Sequence, residues 1–409
     1  MFPSTRSFGA LLIAFAPASA LLAQDAYPIH VDVPPFVAMG ASYEIFGYVR
    51  NTSSTPLTGF TTGWRWNNGP VQRGNFLNLG AGIGTENMAM FTHPVRFEPT
   101  MAGRGKLKVW VDGQNDGQRR NDTLTFDVTV LDRWVSKKLL MEVRTSLNCH
   151  NCQMARPNVD ALMRDPQVLV AKFHHRDDLA VAAADQYFNS YGTDFTPAGV
   201  LDQGEAGVYA PNPNHSQWQR HLKGKALGVS PVLCQVVPVL DTLTRTLHVT
   251  VAAEFTTAMQ GDFSVNALVM LDNVYAPGQG SPWHHGVVRA MLAGPDGDGE
   301  VIPEKPVPGI TYKVTYDVKL PDGIDPSDLC ITGYVTRHDG LKRITLNARD
   351  ASVDLGRMDE PVAMMSPMGP MDALLSQAPF GEKPRSMGLC APIGKAVLPS
   401  AIGRGRSVA

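Results

Sequence analysis

The sequence lacks a charge imbalance: 36 Lys and Arg stand against 38 Asp and Glu, for a net charge of −2. Such a chain sets up no field that would draw nucleic acid or an anionic membrane surface, so neither is expected as a partner. Beyond its first 25 residues it lacks any apolar run approaching the roughly 20 residues that a spanning helix needs, and no membrane-spanning segment is expected in the mature chain. It has no second Cys-x-x-Cys. His174 and His175, 22 and 23 residues after Cys152, lie beyond finger spacing, which argues against structural zinc. Gly80-Ala81-Gly82-Ile83-Gly84 lacks the Lys-Ser/Thr ending of a phosphate loop. The strand-like runs are too short and irregular for the roughly ten-residue alternation of a membrane barrel.

What is present suits packed domains. Hydrophobic residues make up 44% and charged residues 18% of the 409, and at roughly 100–200 residues per domain two to four domains are expected. Residues 1–24 read as a signal peptide: Arg6, an apolar run over 8–16 (FGALLIAFA), then Ala20-Leu21-Leu22-Ala23 ending in small residues suited to cleavage. Export would place the five cysteines, Cys149, Cys152, Cys234, Cys330 and Cys390, in an oxidising setting. Their odd number leaves at least one over, or pairing elsewhere.

Residues 25–132 read as an all-β sandwich of immunoglobulin type. Alternating runs at 43–49 (YEIFGYV), 106–111 (KLKVWV) and 124–131 (LTFDVTVL) are separated by turn clusters such as Asn67-Asn68-Gly69. The pattern changes over 133–229. Strand candidates at 138–143, 168–173 (VLVAKF) and 198–201 alternate with helix candidates at 149–163, from Asp177 or Asp178 to Gly192, and at 216–227, which is an α/β order. From 230 to 356 strands return at 232–239, 245–255, 263–271, 286–293, 311–320, 329–336 and 341–348, as in a second antiparallel sandwich. Residues 357–409 show no periodicity and read as a flexible tail.

Cys149-His150-Asn151-Cys152 is the sharpest chemical signal. Two thiols three apart at a helix start can close a small disulfide. The first would lie at the positive end of the helix dipole, which favours its thiolate, and a protonated His150 would act the same way. His174 and His175 end a strand expected to be parallel, so one of them could assist proton transfer or both could be surface residues. His284 and His285 with Arg289 could bind a metal or an anion, although an inter-strand loop with alternate residues packed is the simpler reading. Asp296-Gly297-Asp298-Gly299-Glu300 and the run from Asp112 to Gly117 space oxygen donors as calcium loops do, without the closing Glu. Cys234 and Cys330 could pair across the last sandwich or remain two buried thiols.

The run from Cys149 through Met154 to Pro157 resembles the active-site helix of thioredoxins, and Thr196-Pro197, just before a strand, resembles their cis-proline. The resemblance covers about 135–228 and implies a thioredoxin-like α/β domain without a cofactor. Cys149 would attack, Cys152 would resolve, Pro197 would shape the substrate groove and Glu142 would be the buried proton acceptor. Partners would be cysteine-containing envelope proteins, and exchange would run through a mixed disulfide. Asn148 stands where thioredoxins usually have Trp, His150-Asn151 where they have Gly-Pro, and Glu142 lies seven residues before Cys149 rather than six. A non-catalytic alternative follows, in which the fold is a scaffold for a surface binding or structural protein. The layout over 25–350, with Asn121-Asp122-Thr123 and the run Trp283 to Arg289, also resembles the outer-membrane-protein-28-related family. That implies an exported protein of the periplasm, outer membrane or cell surface, and no defined reaction.

Overall fold

The computed structural model describes residues 26–112, 122–191, 195–203, 228–278, 280–340 and 342–353. The expected signal peptide, the 216–227 helix, most of the Asp112–Gly117 run, Gly192, Cys390 and the tail lie outside them. The described chain is mostly β, in several sheets, with two α-helices.

It divides into two compact units. The first takes residues up to Val31, Phe46–Val95 and Leu107–Thr125, and the second takes the rest, so the strands expected in one sandwich over 25–132 are shared between the two. In the first unit, Phe46–Asn51 and Met88–Thr92 form one sheet with the part of strand Ala26–Asp32 up to Val31, while Phe60–Trp66 pairs antiparallel with Gln72–Phe76 and with the part of strand Gly103–Asp112 from Leu107 on. Asn67, at φ 48°, turns the first of those hairpins, a backbone region that Asn tolerates well. Phe60, Phe76 and Phe91 pack there as a ring cluster.

The second unit carries the chemistry. In chain order its principal elements are β1 (Leu139–Thr145), α1 (His150–Met163), β2 (Val168–His174), α2 (Ala182–Asn189), β3 (Ala198–Leu201), β4 (Val232–Asp241), β5 (Thr246–Phe255), β6 (Asp262–Leu271), β7 (Val287–Met291), β8 (Thr311–Lys319), β9 (Leu329–Asp339) and β10 (Lys342–Ser352). β1 and β2 run parallel and β3 is antiparallel to β1.

These three strands do not form a sheet of their own. One seven-stranded sheet runs in the order β3-β1-β2-β7-β6-β9-β10 and crosses the boundary expected near residue 230. Lys172 of β2 meets Val287 of β7 in parallel register, and the Lys172 N–H donates to the Gly286 carbonyl at 2.7 Å. A separate three-stranded antiparallel sheet, β4-β5-β8, packs on part of this one. The C-terminal sandwich thus shares one of its two layers with the α/β segment.

Alternation along each strand assigns the layers. In β1, Leu139, Met141 and Val143 pack with Val159 and Leu162 of α1, whereas Leu140 packs with Tyr187 and Phe188 of α2. In β6, Phe263, Val265, Ala267 and Val269 meet the three-stranded sheet, while Leu268 and Met270 join the α2 layer. Strands buried on both faces cannot show the apolar–polar alternation of a half-exposed sheet, hence the continuous run VLVAKF.

The sheet's two edges are bridged. Asp202, just past β3, accepts from the Thr345 N–H of β10 through its carbonyl at 2.7 Å and from the Leu140 N–H through Oδ1 at 3.0 Å. Its Oδ2 meets Lys137 Nζ at 2.7 Å, and both side chains are 5% exposed. Lys137 Nζ also donates to the Thr345 carbonyl at 3.1 Å. A buried ion pair this well bonded resists loss of one partner far more than loss of both. Lys137→Met is therefore expected to cost on the order of 3–5 kcal/mol in urea unfolding. Lys137→Met with Asp202→Asn should recover most of that, since Asn still accepts from Leu140. A double variant no more stable than the single one would contradict this account of the seam.

Candidate functional site

Cys149 and Cys152 form a disulfide with Cα atoms 5.2 Å apart. Cys149 is the N-cap of α1, and its Sγ accepts from the Cys152 N–H at 3.0 Å. It thus faces unsatisfied amides at the positive end of the helix. Cys149 is half-buried, His150 is exposed and Cys152 is 2% exposed. One cysteine is partly exposed and the other is covered. Pro157 lies within α1 on its exposed side, and Met154 is exposed as well.

Thr196-Pro197 is a cis peptide, and Pro197 is buried. Ala198 pairs with Arg144, so Pro197 stands beside the carboxyl end of β1, the end from which the chain passes into the cysteine loop. Register therefore brings Pro197 and the disulfide to one end of the sheet.

Glu142 is not brought there. It is wholly buried, but it lies on the α2 face with Leu140 and accepts a hydrogen bond from the Tyr187 hydroxyl. That hydroxyl also accepts from Gln203 Nε2 at 2.7 Å and Tyr191 Oη at 3.1 Å, and Gln203 Oε1 accepts from Thr336 at 2.9 Å. Burial pushes the Glu142 carboxyl up to about 8, with the Tyr187 bond opposing and the Asp202 charge adding to the rise. The correction has a simple cause. A one-residue offset along a strand moves a side chain to the other face, and the seven-residue spacing to Cys149 puts Glu142 on the wrong side of β1. Six residues before Cys149 stands Val143, which packs with α1.

The two adjacent histidines divide by the same parity. His175 meets Asp185 of α2 and Arg144 of β1, whose guanidinium also lies over the Phe188 ring. His174 falls on the α1 face with Val168 and Val170. Its side chain has no exposed area, and its Nδ1 lies 2.8 Å from Asp177 Oδ2. Asp177 also accepts from the Leu147 N–H at 2.7 Å and the Leu179 N–H at 2.9 Å. Burial alone would raise the Asp177 carboxyl, but the His174 contact and these two amides hold it below its usual range. The acid therefore ties the end of β2 to the loop two residues before Cys149. Strand parity was the only signal in the sequence that could have separated His174 from His175.

A short hairpin, Val274–Tyr275 with Trp283–His284, borders the same site. Trp283 accepts from Arg156 of α1 through its carbonyl at 2.8 Å. The backbone at Gly278 and Gly280 comes so close to the Leu147 carbonyl and the Gln153 side chain that a Cβ at either would stand 2.6 or 2.7 Å from them. His284 is buried, bonded to the Ala276 carbonyl at 2.9 Å, with its ring edge-on to His174 at 5.7 Å. Burial, helped by nearby positive groups and opposed by the Ala276 bond, lowers it to about 4. His285 Nδ1 lies 3.3 Å from the Asn273 N–H, and Arg289 donates to the Leu179 carbonyl at 2.7 Å. His284, His285 and Arg289 thus make three separate structural contacts, in keeping with the simpler reading of a packed loop.

Among the described residues no group of three acidic, His or Cys side chains is placed to hold a metal, and in the Asp296 loop Asp296 is engaged by Arg343 while Asp298 caps the Glu300 N–H. No described helix is long and apolar enough to cross a membrane. Cys234 and Cys330 are not paired. Cys234 faces the layer between the two sheets and Cys330 packs on the α2 layer. Burial pushes each thiol up to about 12.

No family model matches the sequence, and no curated protein matches it. Among solved structures, a protein from Agrobacterium tumefaciens is 14% identical with TM-score 0.32, over 54% of this chain and 95% of that one. A domain of the outer membrane lipoprotein Omp28 from Porphyromonas gingivalis is 16% identical with TM-score 0.22, over 31% of this chain and 90% of that one. The CARDB domain of a Pyrococcus furiosus protein is 17% identical with TM-score 0.22, over 27% and 97%. Likenesses this weak carry no argument about activity.

The buried carboxyl generates a prediction. A folded-state value near 8 against an ordinary one near 4.5 means that the native chain holds a proton that the unfolded chain releases. The contribution of Glu142 to stability is then full below about pH 4.5 and is lost as pH rises through about 8, by up to roughly 5 kcal/mol. Glu142→Gln, which mimics the neutral acid, should flatten this slope in urea titrations from pH 5 to 9. An unchanged slope would show that Glu142 is ionised in the fold.

Proposed function

We propose that this chain is an exported protein of the cell envelope whose β-rich body does binding or structural work. An immunoglobulin-like sandwich lies in its N-terminal part, and a thioredoxin-like segment is incorporated into its scaffold. The observation that carries this reading is the continuity of the sheet. β1 to β3 share their strand ladder with β7, and their free edge is stitched to β10 through Asp202. A segment so built in is part of a larger framework. Asn148 before the first cysteine, His150-Asn151 between the pair and Glu142 on the far face also depart from a working thioredoxin.

A second reading, thiol–disulfide exchange with cysteine-containing envelope proteins, is favoured by one specific observation. The pair is asymmetric: Cys149 is partly exposed at a helix N-terminus and Cys152 is buried behind it. That is the arrangement in which one thiolate attacks and the other resolves. The cis Thr196-Pro197 bond at the same end of the sheet supports it.

The two readings part on whether the disulfide opens. Equilibration with glutathione and dithiothreitol gives its reduction potential, and Cys152→Ser captures partners as mixed disulfides. The scaffold reading expects a potential below about −300 mV and an empty trap. A higher potential with trapped envelope proteins would overturn it in favour of exchange.

A further inference from the structure

We propose that His174, oriented by Asp177, is the base that takes the proton from Cys152 when the Cys149–Cys152 pair turns over. The inference goes beyond the scaffold reading and rests on the exchange reading given with it.

Three observations place His174. Residues 168, 170, 172 and 174 of β2 share one face: Val168 and Val170 touch α1 residues, and Lys172 Nζ reaches Asp160 of α1 at 3.4 Å. A strand advances about 3.3 Å per residue and a helix about 1.5 Å. The two-residue step from Lys172 to His174 therefore matches about one turn of α1 toward its N-terminus, from the level of Arg156 and Asp160 to that of Cys152 and Arg156. Cys152 lies on the buried side of the helix with Ala155, Val159 and Leu162. The hairpin gives the same level independently, because His284 is edge-on to His174 while its neighbour Trp283 accepts from Arg156.

The hydrogen-bond geometry suits a base. A carboxylate can only accept, so the Asp177 contact puts the proton of a neutral His174 on Nδ1 and leaves the Nε2 lone pair free. Nε2 is buried and has no hydrogen-bond partner among the described residues. Among the described residues, the charged and titratable groups around it are these. Asp177 holds the ring, and His284 faces it from the hairpin. Asp160 and Arg156 lie one turn along α1 with Lys172 of β2 paired to Asp160, and Arg289 interacts electrostatically with Asp177. Glu142, Arg144, His175 and Asp185 belong to the opposite face.

The step balances without a cofactor. The Cys149 thiolate attacks a partner disulfide: a Cys149–partner bond forms, the partner's S–S bond breaks and one partner thiolate leaves. Cys152 then gives its proton to His174 Nε2, and its thiolate attacks the Cys149 sulfur. The Cys149–Cys152 bond forms and the second partner thiolate departs, taking up the proton. The partner gains two electrons and the cysteine pair loses them.

The test uses the reduced mature chain and a chromogenic aromatic disulfide, which releases one thiolate when Cys149 attacks and a second when Cys152 resolves. His174→Gln should leave the first phase unchanged and slow the second by on the order of 100-fold at pH 7. The gap should narrow as pH rises, because hydroxide increasingly ionises a thiol without a base, and Glu142→Gln should alter neither phase. Equal second phases in wild type and His174→Gln across pH 5–9 would overturn the proposal while leaving exchange intact. Absence of both phases in the wild type would remove the exchange reading and the proposal together. Should His174→Gln fail to fold, carbon-13-labelled histidine in the wild type decides. The expected result is a change in the His174 titration on reduction of the pair, and an unchanged titration would count against the base.

Discussion

A strand buried on both faces offers each side chain one of two environments, and in β1 and β2 that choice organises everything near the disulfide. Odd residues of β1 and even residues of β2 go under α1, and the others go under α2. The side chains at stake are chemically unlike. Glu142 and His175 go to the α2 layer, and His174 goes to the helix that carries the cysteines. The period of two is a property of the extended backbone, so no side-chain rearrangement short of a register slip could exchange them. A slip would also bury Lys137 and Asp202 apart, a cost of several kcal/mol that holds the register fixed.

The same constraint explains why two polar clusters coexist in an otherwise apolar unit. On the α2 side a buried carboxyl, two tyrosines, a glutamine and a threonine are joined in one hydrogen-bonded chain that runs through the Tyr187 hydroxyl. On the α1 side Asp177 satisfies a histidine and two backbone amides. The first cluster is enclosed apart from Tyr191, which is partly exposed. The second reaches the loop before Cys149 through the Leu147 amide, whereas Glu142 lies on the opposite face of β1. The bonded edges of the seven-stranded sheet keep both clusters in place.

Much of the local structure was legible in the sequence. The run VLVAKF announced a doubly buried strand, Cys149 to Met163 a helix, and Thr196-Pro197 a turn into a short strand, and each stands where the pattern put it apart from a residue or two at the ends. The layering was not legible. Whether β2 continues into β7 depends on the meeting of Lys172 and Val287, 115 residues apart, and strand patterns name no neighbours. The seven-residue interval from Glu142 to Cys149 did carry the information that Glu142 faces away, since parity alone decides it once the helix is known to cover Val143. Cys234 and Cys330 sit in different layers for the same reason, which strand boundaries alone could not reveal.

The central claim is that strand parity puts His174 beneath the cysteine helix and Glu142 beyond its reach. Proton–proton contacts from selectively labelled histidine rings test it most directly. The account predicts that the His174 ring protons show nuclear Overhauser contacts to the β-protons of Cys152 and the methyl of Ala155, and none to the rings of Tyr187 or Phe188. Contacts to Tyr187 or Phe188, with none to α1, would contradict it.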